Sequence, residues 1–190
     1  MAGFKALRQQ VGECTICEKY LPLGPRPVCQ FHPDARLVII GQAPGTKVHA
    51  SGVPWQDPSG DRLREWLGID SDTFYSNRVA LLPMGFCYPG RGKSGDLPPR
   101  PECAATWHEP IMKIMKKLEF LVLTGHYAQK HYLEKPGPSL TQTVKDFKKF
   151  LPRFMPLPHP SPRNNIWLAK NPWFAKKALP ALRRRVTEIL

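Results

Sequence analysis

Two continuous apolar runs, Leu37-Val38-Ile39-Ile40-Gly41 and Phe120-Leu121-Val122-Leu123-Thr124-Gly125, constrain this chain most. Runs of this length that do not alternate with polar residues suit strands covered on both faces, as in a parallel sheet. Two further strands are read at Arg78 to Leu82 and at residues 154–157. Helical stretches lie between them. They are expected at Phe4 to Val11, from Ser59 or Asp61 (either able to cap the helix) to Gly68, and at Pro101 to Leu118 with a kink or split at Pro110. Others follow at His126 to Leu133, Ser139 to Phe150 and about Pro172 to Leu190. Alternating strands and helices predict an α/β chain, a three-layer α/β/α sandwich around a four-stranded, mostly parallel sheet. The 190 residues suit one domain spanning 1–190.

Two loops leave these strands with unusual chemistry. After the last run comes Pro158-His159-Pro160-Ser161-Pro162-Arg163-Asn164-Asn165. Prolines fix φ and remove an N–H, so this segment cannot be helical through the histidine and holds it in a stiff loop. Ser161 and Arg163 add a hydroxyl and a planar cationic fork, both suited to phosphate oxygens. The upstream loop is Gly41-Gln42-Ala43-Pro44-Gly45, where glycines allow close backbone approach to a ligand. In open α/β sheets a ligand sits beyond the carboxyl ends of the strands, where both loops emerge.

The charge of +13 suits a polyanionic partner, nucleic acid or an anionic membrane surface. No apolar segment reaches membrane-spanning length, and the N-terminus lacks the long apolar centre of a signal peptide. A cytoplasmic, nucleoid-associated place is expected. Twenty-two prolines imply rigid loops rather than disorder, because 42% of residues are hydrophobic. Of five cysteines, Cys14 and Cys17 form C-x-x-C, and 15 residues separate Cys87 from Cys103. In a cytosolic chain such spacing points to metal rather than to disulfides. Four thiolates suit zinc and a [4Fe-4S] cluster alike.

The pair G-Q-A-P-G and H-P-S-P-R-N, in this order, resembles the two signature motifs of the uracil-DNA glycosylase superfamily. The resemblance implies a monofunctional glycosylase acting, as a monomer, on DNA that contains uracil or a related damaged base. His159 would donate to the pyrimidine O2 and stabilise charge on the departing base. Main chain at Gly41, Gln42 and Ala43 would meet the other carbonyl. Trp55 stands where the family has a stacking phenylalanine, with a core role as the alternative. Ser161, Arg163 and Asn164 would contact the DNA backbone and fill the gap left by the extruded base. The cysteines match, position by position, those holding an iron-sulfur cluster in family 4 members; Cys29 has no counterpart.

The chain departs from the family in two places. Positions 42 and 43, where relatives place a glutamate or an aspartate, hold Gln42 and Ala43. Water activation then falls to Asp57, whose alternative role is a turn or cap before Pro58, or to a dissociative route. Asn77 is the nearest match to the base-reading asparagine, but it lies ten residues before Cys87, and position 83 is proline. The missing carboxylate keeps a second class open, a lesion-binding member without catalysis; a third is a cluster protein whose DNA contact is incidental. The basic stretch Gly90 to Gly95 lacks the spacing of a nucleotide-binding phosphate loop, and His49, His108, His126 and His131 receive no chemistry.

Overall fold

A computed structural model describes residues 2–93 and 95–190; Ser94, within the basic stretch, lies outside them. Strands β1 (Leu37–Ile40), β2 (Val79–Leu81), β3 (Phe120–Thr124) and β4 (Phe154–Leu157) form one sheet in the order β2-β1-β3-β4. All three pairings are parallel, with Leu37 opposite both Val79 and Phe120, and Leu121 opposite Phe154.

Period-two alternation sorts each strand's side chains onto two cores. Leu37, Ile39, Phe120, Val122, Met155 and Leu157 face one core with Leu63 and Trp66 of the Pro58–Leu67 helix, Val144, and Leu182 and Val186 of the Leu179–Ile189 helix. Val38, Ile40, Leu121 and Leu123 face the other with Val11, Ile111, Ala128 and Leu133. The result is the expected three-layer α/β/α sandwich. Phe120 is fully buried, and truncating it to alanine would cost about 3–5 kcal/mol.

Two prolines inside helices are absorbed in the same way. A π turn at Ala104–His108 precedes the Glu109–Ile114 helix containing Pro110, and one at Phe174–Ala178 precedes the Leu179–Ile189 helix containing Pro180. Proline lacks the N–H and crowds the carbonyl four residues back, and the wider turn accommodates both. The split expected at Pro110 is thus a change of pitch beginning right after Cys103.

Some boundaries differ from the sequence reading. The helix expected from Ser59 or Asp61 begins at Pro58, and Asp57 caps it; Asp61 instead pairs with Arg64. Ser139 to Phe150 divides into the Leu140–Lys145 helix and a 3-10 turn at Phe147–Lys149. The basic stretch contains a small antiparallel ribbon, Arg91 opposite Asp96 and Gly92 opposite Gly95. No helix among the described residues is long and apolar enough to cross a membrane.

Candidate active site

The connection leaving β1 leads to β2 on one side of it, while β3 lies on the other. That switch in direction opens a crevice beyond the carboxyl ends of the strands. A cleft of about 510 Å³ sits at that end, lined by Gly41 to Gly45, Trp55, Asp57 and Ser59 from one side and His159, Ser161, Arg163 and Asn164 from the other. Pro83, after β2, completes a wall. The two proline- and glycine-marked loops, more than a hundred positions apart, therefore face one space.

The first loop continues the sheet by two hydrogen bonds: Met84 N–H donates to the Gly41 carbonyl at 3.0 Å and Gly85 N–H to the Gln42 carbonyl at 2.9 Å. Among the described residues the amides of Gln42 and Ala43 have no backbone partner, so two donors are free at the cleft. The Gln42 side chain lies against Gly125, where a Cβ would come within 2.7 Å of its Nε2.

Trp55 has a left-handed backbone (φ 59°), rare for a bulky residue. Its environment makes room on both sides. A Cβ on Gly60 would fall 1.7 Å from the Trp55 carbonyl oxygen, and one on Gly41 2.9 Å from the edge of its indole. The Tyr75 hydroxyl donates to the Pro54 carbonyl at 2.9 Å. So held, the indole stacks beside the His159 ring, with centroids 5.7 Å apart and planes 29° apart. It also packs on the adjoining core, the alternative role considered for it.

Asp57 Oδ1 accepts the Gly60 N–H at 2.8 Å, capping the Pro58–Leu67 helix. A carboxylate has a second oxygen, and Asp57 lines the cleft. Burial pulls the His159 imidazole below its ordinary pKa, and the negative charge of Asp57 acts in the opposite direction. The second loop is internally braced. Asn164 Nδ2 donates to the His159 carbonyl at 2.6 Å, Arg163 N–H to Ser161 Oγ at 3.3 Å, and Arg62 Nη1 to the Ser161 carbonyl at 3.1 Å. Asn164 and Ser161 thus shape the loop, while Arg163, with no ion-pair partner among the described residues, stands near Gly95 at the cleft rim.

Asn77 is not part of this site. It is exposed, two residues before β2 and therefore at the amino end of a parallel strand, whereas the cleft is at the carboxyl ends. Sequence reasoning also missed Ser59, Asp96 and Leu97, which line the cleft. The ribbon that brings in Asp96 has too few residues to produce a strand signal.

A family model described as the uracil DNA glycosylase superfamily matches residues 29–183. The chain belongs to the uracil DNA glycosylase superfamily. Membership carries a DNA glycosylase-type function with DNA as substrate, and both loops lie within the matched span.

A second feature of this superfamily member lies beside the cleft. Cys14, Cys17, Cys87 and Cys103 line one narrow cavity with Leu21, Pro27, Phe86, Arg100 and Trp107. All five cysteines are free. Trp107 Nε1 donates to Cys14 Sγ at 3.3 Å and Phe86 N–H to Cys103 Sγ at 3.5 Å. Burial pushes the Cys103 thiol up to about 12, against the Phe86 N–H, and raises Cys17 and Cys87. Among the described residues no three His, Cys, Asp or Glu side chains converge on a position for a single metal ion.

Proposed function

We propose that this chain is a monofunctional DNA glycosylase that hydrolyses the N-glycosidic bond of uracil, or a related deaminated base, in DNA and leaves an abasic site. The observation that carries this reading is the meeting of Trp55, His159 and the free Gln42 and Ala43 amides around one cleft. An extruded base needs an aromatic face and polar groups for its carbonyls. Trp55 supplies the face. His159 donates to one carbonyl and the amides donate to the other, so charge building on the departing base meets donors already in place.

A neutral imidazole suits this role, because it donates from one ring nitrogen without bringing a proton that must later leave. Asp57 supplies the carboxylate that the first loop lacks. Its capping bond fixes one oxygen and leaves the other to orient water or to balance positive charge on the sugar. Arg163 meets backbone phosphate at the rim, while Ser161 and Asn164 hold the loop in shape. No lysine occupies either loop for Schiff-base chemistry, which favours hydrolysis without strand cleavage.

For the four cysteines the occupant is a [4Fe-4S] cluster, with zinc as the alternative, because their pattern is similar to that of cluster-bearing family members. Zinc would draw four sulfurs to within about 3.8 Å of one another, given Zn–S near 2.3 Å. A cluster with one thiolate per iron holds them further apart, and all four cysteines line one cavity. N–H donors on two sulfurs suit anionic thiolates. When bound, the cluster would supply a structural tie among three segments distant in the chain, at Cys14 and Cys17, at Cys87 and at Cys103.

Incubating the protein with a uracil-containing oligonucleotide and then cleaving abasic sites with alkali tests the reading. Strand breaks at the uracil are expected. Binding without breaks would instead identify a passive lesion reader.

A further inference from the structure

Pro83, which completes a wall of the cleft, is held from behind by a histidine to which the sequence assigns no chemistry. His108 is buried at the end of the Ala104–His108 π turn, and its Nε2 lies 3.0 Å from the Pro83 carbonyl oxygen. A carbonyl only accepts, so Nε2 carries the proton. Nδ1 of the neutral ring is then an acceptor, and the Tyr132 hydroxyl donates to it at 2.5 Å. The ring is stacked with Phe86 (5.7 Å, 23°) and with Tyr132 (6.0 Å, 18°). Burial pulls His108 down to about 4, so this tautomer persists throughout the neutral range.

The neighbouring bonds give this contact its meaning. Met84 and Gly85 donate to the carbonyls of Gly41 and Gln42, and Phe86 donates to Cys103 Sγ. Four successive residues therefore tie the first loop on one side to the Cys103–His108 turn on the other. Pro83 has no N–H and its carbonyl is engaged by His108, so it presents a fixed, non-donating surface to the cleft.

We propose that His108 is a positioning residue for base excision: its bond to the Pro83 carbonyl fixes the segment 83–86, and through Met84 and Gly85 the first loop whose amides hold the base. The proposal rests on reading the cleft as the base site. It assigns to His108 no contact with substrate.

The test uses full-length protein as purified and two readouts. His108→Phe keeps an aromatic ring between Phe86 and Tyr132 but removes the donor. Amide hydrogen exchange at Met84 and Gly85 should accelerate at least about 10-fold relative to Val122 and Leu123 of β3, because a hydrogen-bonded segment opens locally when its anchor is lost. Single-turnover excision of uracil should slow by about 10- to 100-fold, the scale of a small misplacement of binding groups, with DNA affinity unchanged. His108→Gln, whose amide N–H reaches the same carbonyl, should recover most of both.

Unchanged exchange at Met84 and Gly85 in His108→Phe would overturn the proposal, as would a His108→Gln protein as impaired as the phenylalanine variant. Should His108→Phe fail to fold, Tyr132→Phe removes only the hydroxyl that orients the ring, and the same two amides should exchange several-fold faster; no change there would also overturn it. Exchange does not depend on catalysis. A wild-type protein that cuts no oligonucleotide would remove the proposed function while the exchange result still decided what His108 holds.

Discussion

The indole of Trp55 lies 5.7 Å from the imidazole of His159, the two planes 29° apart, although 103 positions separate them in the chain. The contact depends on the left-handed backbone at Trp55, and that backbone depends on Gly60 having no side chain. Gly60→Ala should therefore displace the Trp55 carbonyl and unstack the rings. Excision of uracil should fall at least about 10-fold, on the scale of misplaced binding groups. Single-turnover kinetics with a thermal melt would check this, and a fully active Gly60→Ala protein would separate Trp55 from the chemistry.

His159→Ala should slow excision by about 10² or more, comparable to losing one donor to a developing oxyanion. Because burial depresses the His159 pKa, the imidazole stays neutral to lower pH than an ordinary histidine. The wild-type single-turnover rate should stay level across neutral pH and change only as pH falls into the depressed pKa of His159. A break at the ordinary histidine value would contradict the burial.

Two substitutions divide the roles of Asp57. Asparagine caps helices about as well as aspartate, whereas alanine costs about 1 kcal/mol at such a position. Asp57→Asn should leave thermal stability near wild type and Asp57→Ala should lower it. Both should lose excision if the carboxylate charge is needed. Full activity in Asp57→Asn would leave bond breaking dissociative, with Asp57 a cap alone. The same change should move the His159 pKa further down, since Asp57 holds it up, and titration by NMR would follow that shift.

His108 gives stability a pH dependence of defined sign. Its folded pKa, about 4, lies below the unfolded value near 6.5, so the unfolded chain takes up the proton first as pH falls. The stabilisation is complete above pH 6.5 and is lost progressively toward pH 4, by about 3 kcal/mol. Tyr132 donates to its ring and His131 repels its charge, while Glu109 and Lys113 line the groove outside. Denaturant unfolding at several pH values should show the loss in wild type and a flatter curve in His108→Gln.

The cysteine cavity makes a spectroscopic prediction. Purified protein should be brown, and Cys103→Ser or Cys14→Ser should remove the colour along with the iron. A colourless protein bearing zinc would refute the cluster. Trp107→Phe deletes the N–H on Cys14 Sγ, a bond that favours the more negatively charged reduced state. Its reduction potential should drop by some tens of millivolts, the electrochemical equivalent of roughly 1 kcal/mol at one electron.

Long apolar runs made the sheet legible. β1 and β3 are bounded within a residue of their expected ends because nothing polar interrupts them before Gly41 and Gly125. The loops were legible because proline restricts the backbone locally and glycine frees it for turns and close approach. What escaped was set by contacts across the chain. Asp96 reaches the cleft on a ribbon of two-residue strands, and Ser59 does so from the first turn of a helix. Asn77 looked suitable as a residue type, but a parallel strand has two ends, and spacing to a cysteine does not reveal which one a residue occupies. His108 carries no motif, and its partners at positions 83 and 132 become visible only when the π turn aims it.

Arg62 grips the carbonyl of Ser161 across 99 positions, and nothing nearer in sequence can stand in for that loop. A ribosome that has released residues 1–150 has made the aromatic half of the cleft without the imidazole half. Such an incomplete polypeptide carries net positive charge but lacks the His159 loop that faces Trp55 across the cleft. The cleft is therefore complete only once the last strand and the turn behind it have been added.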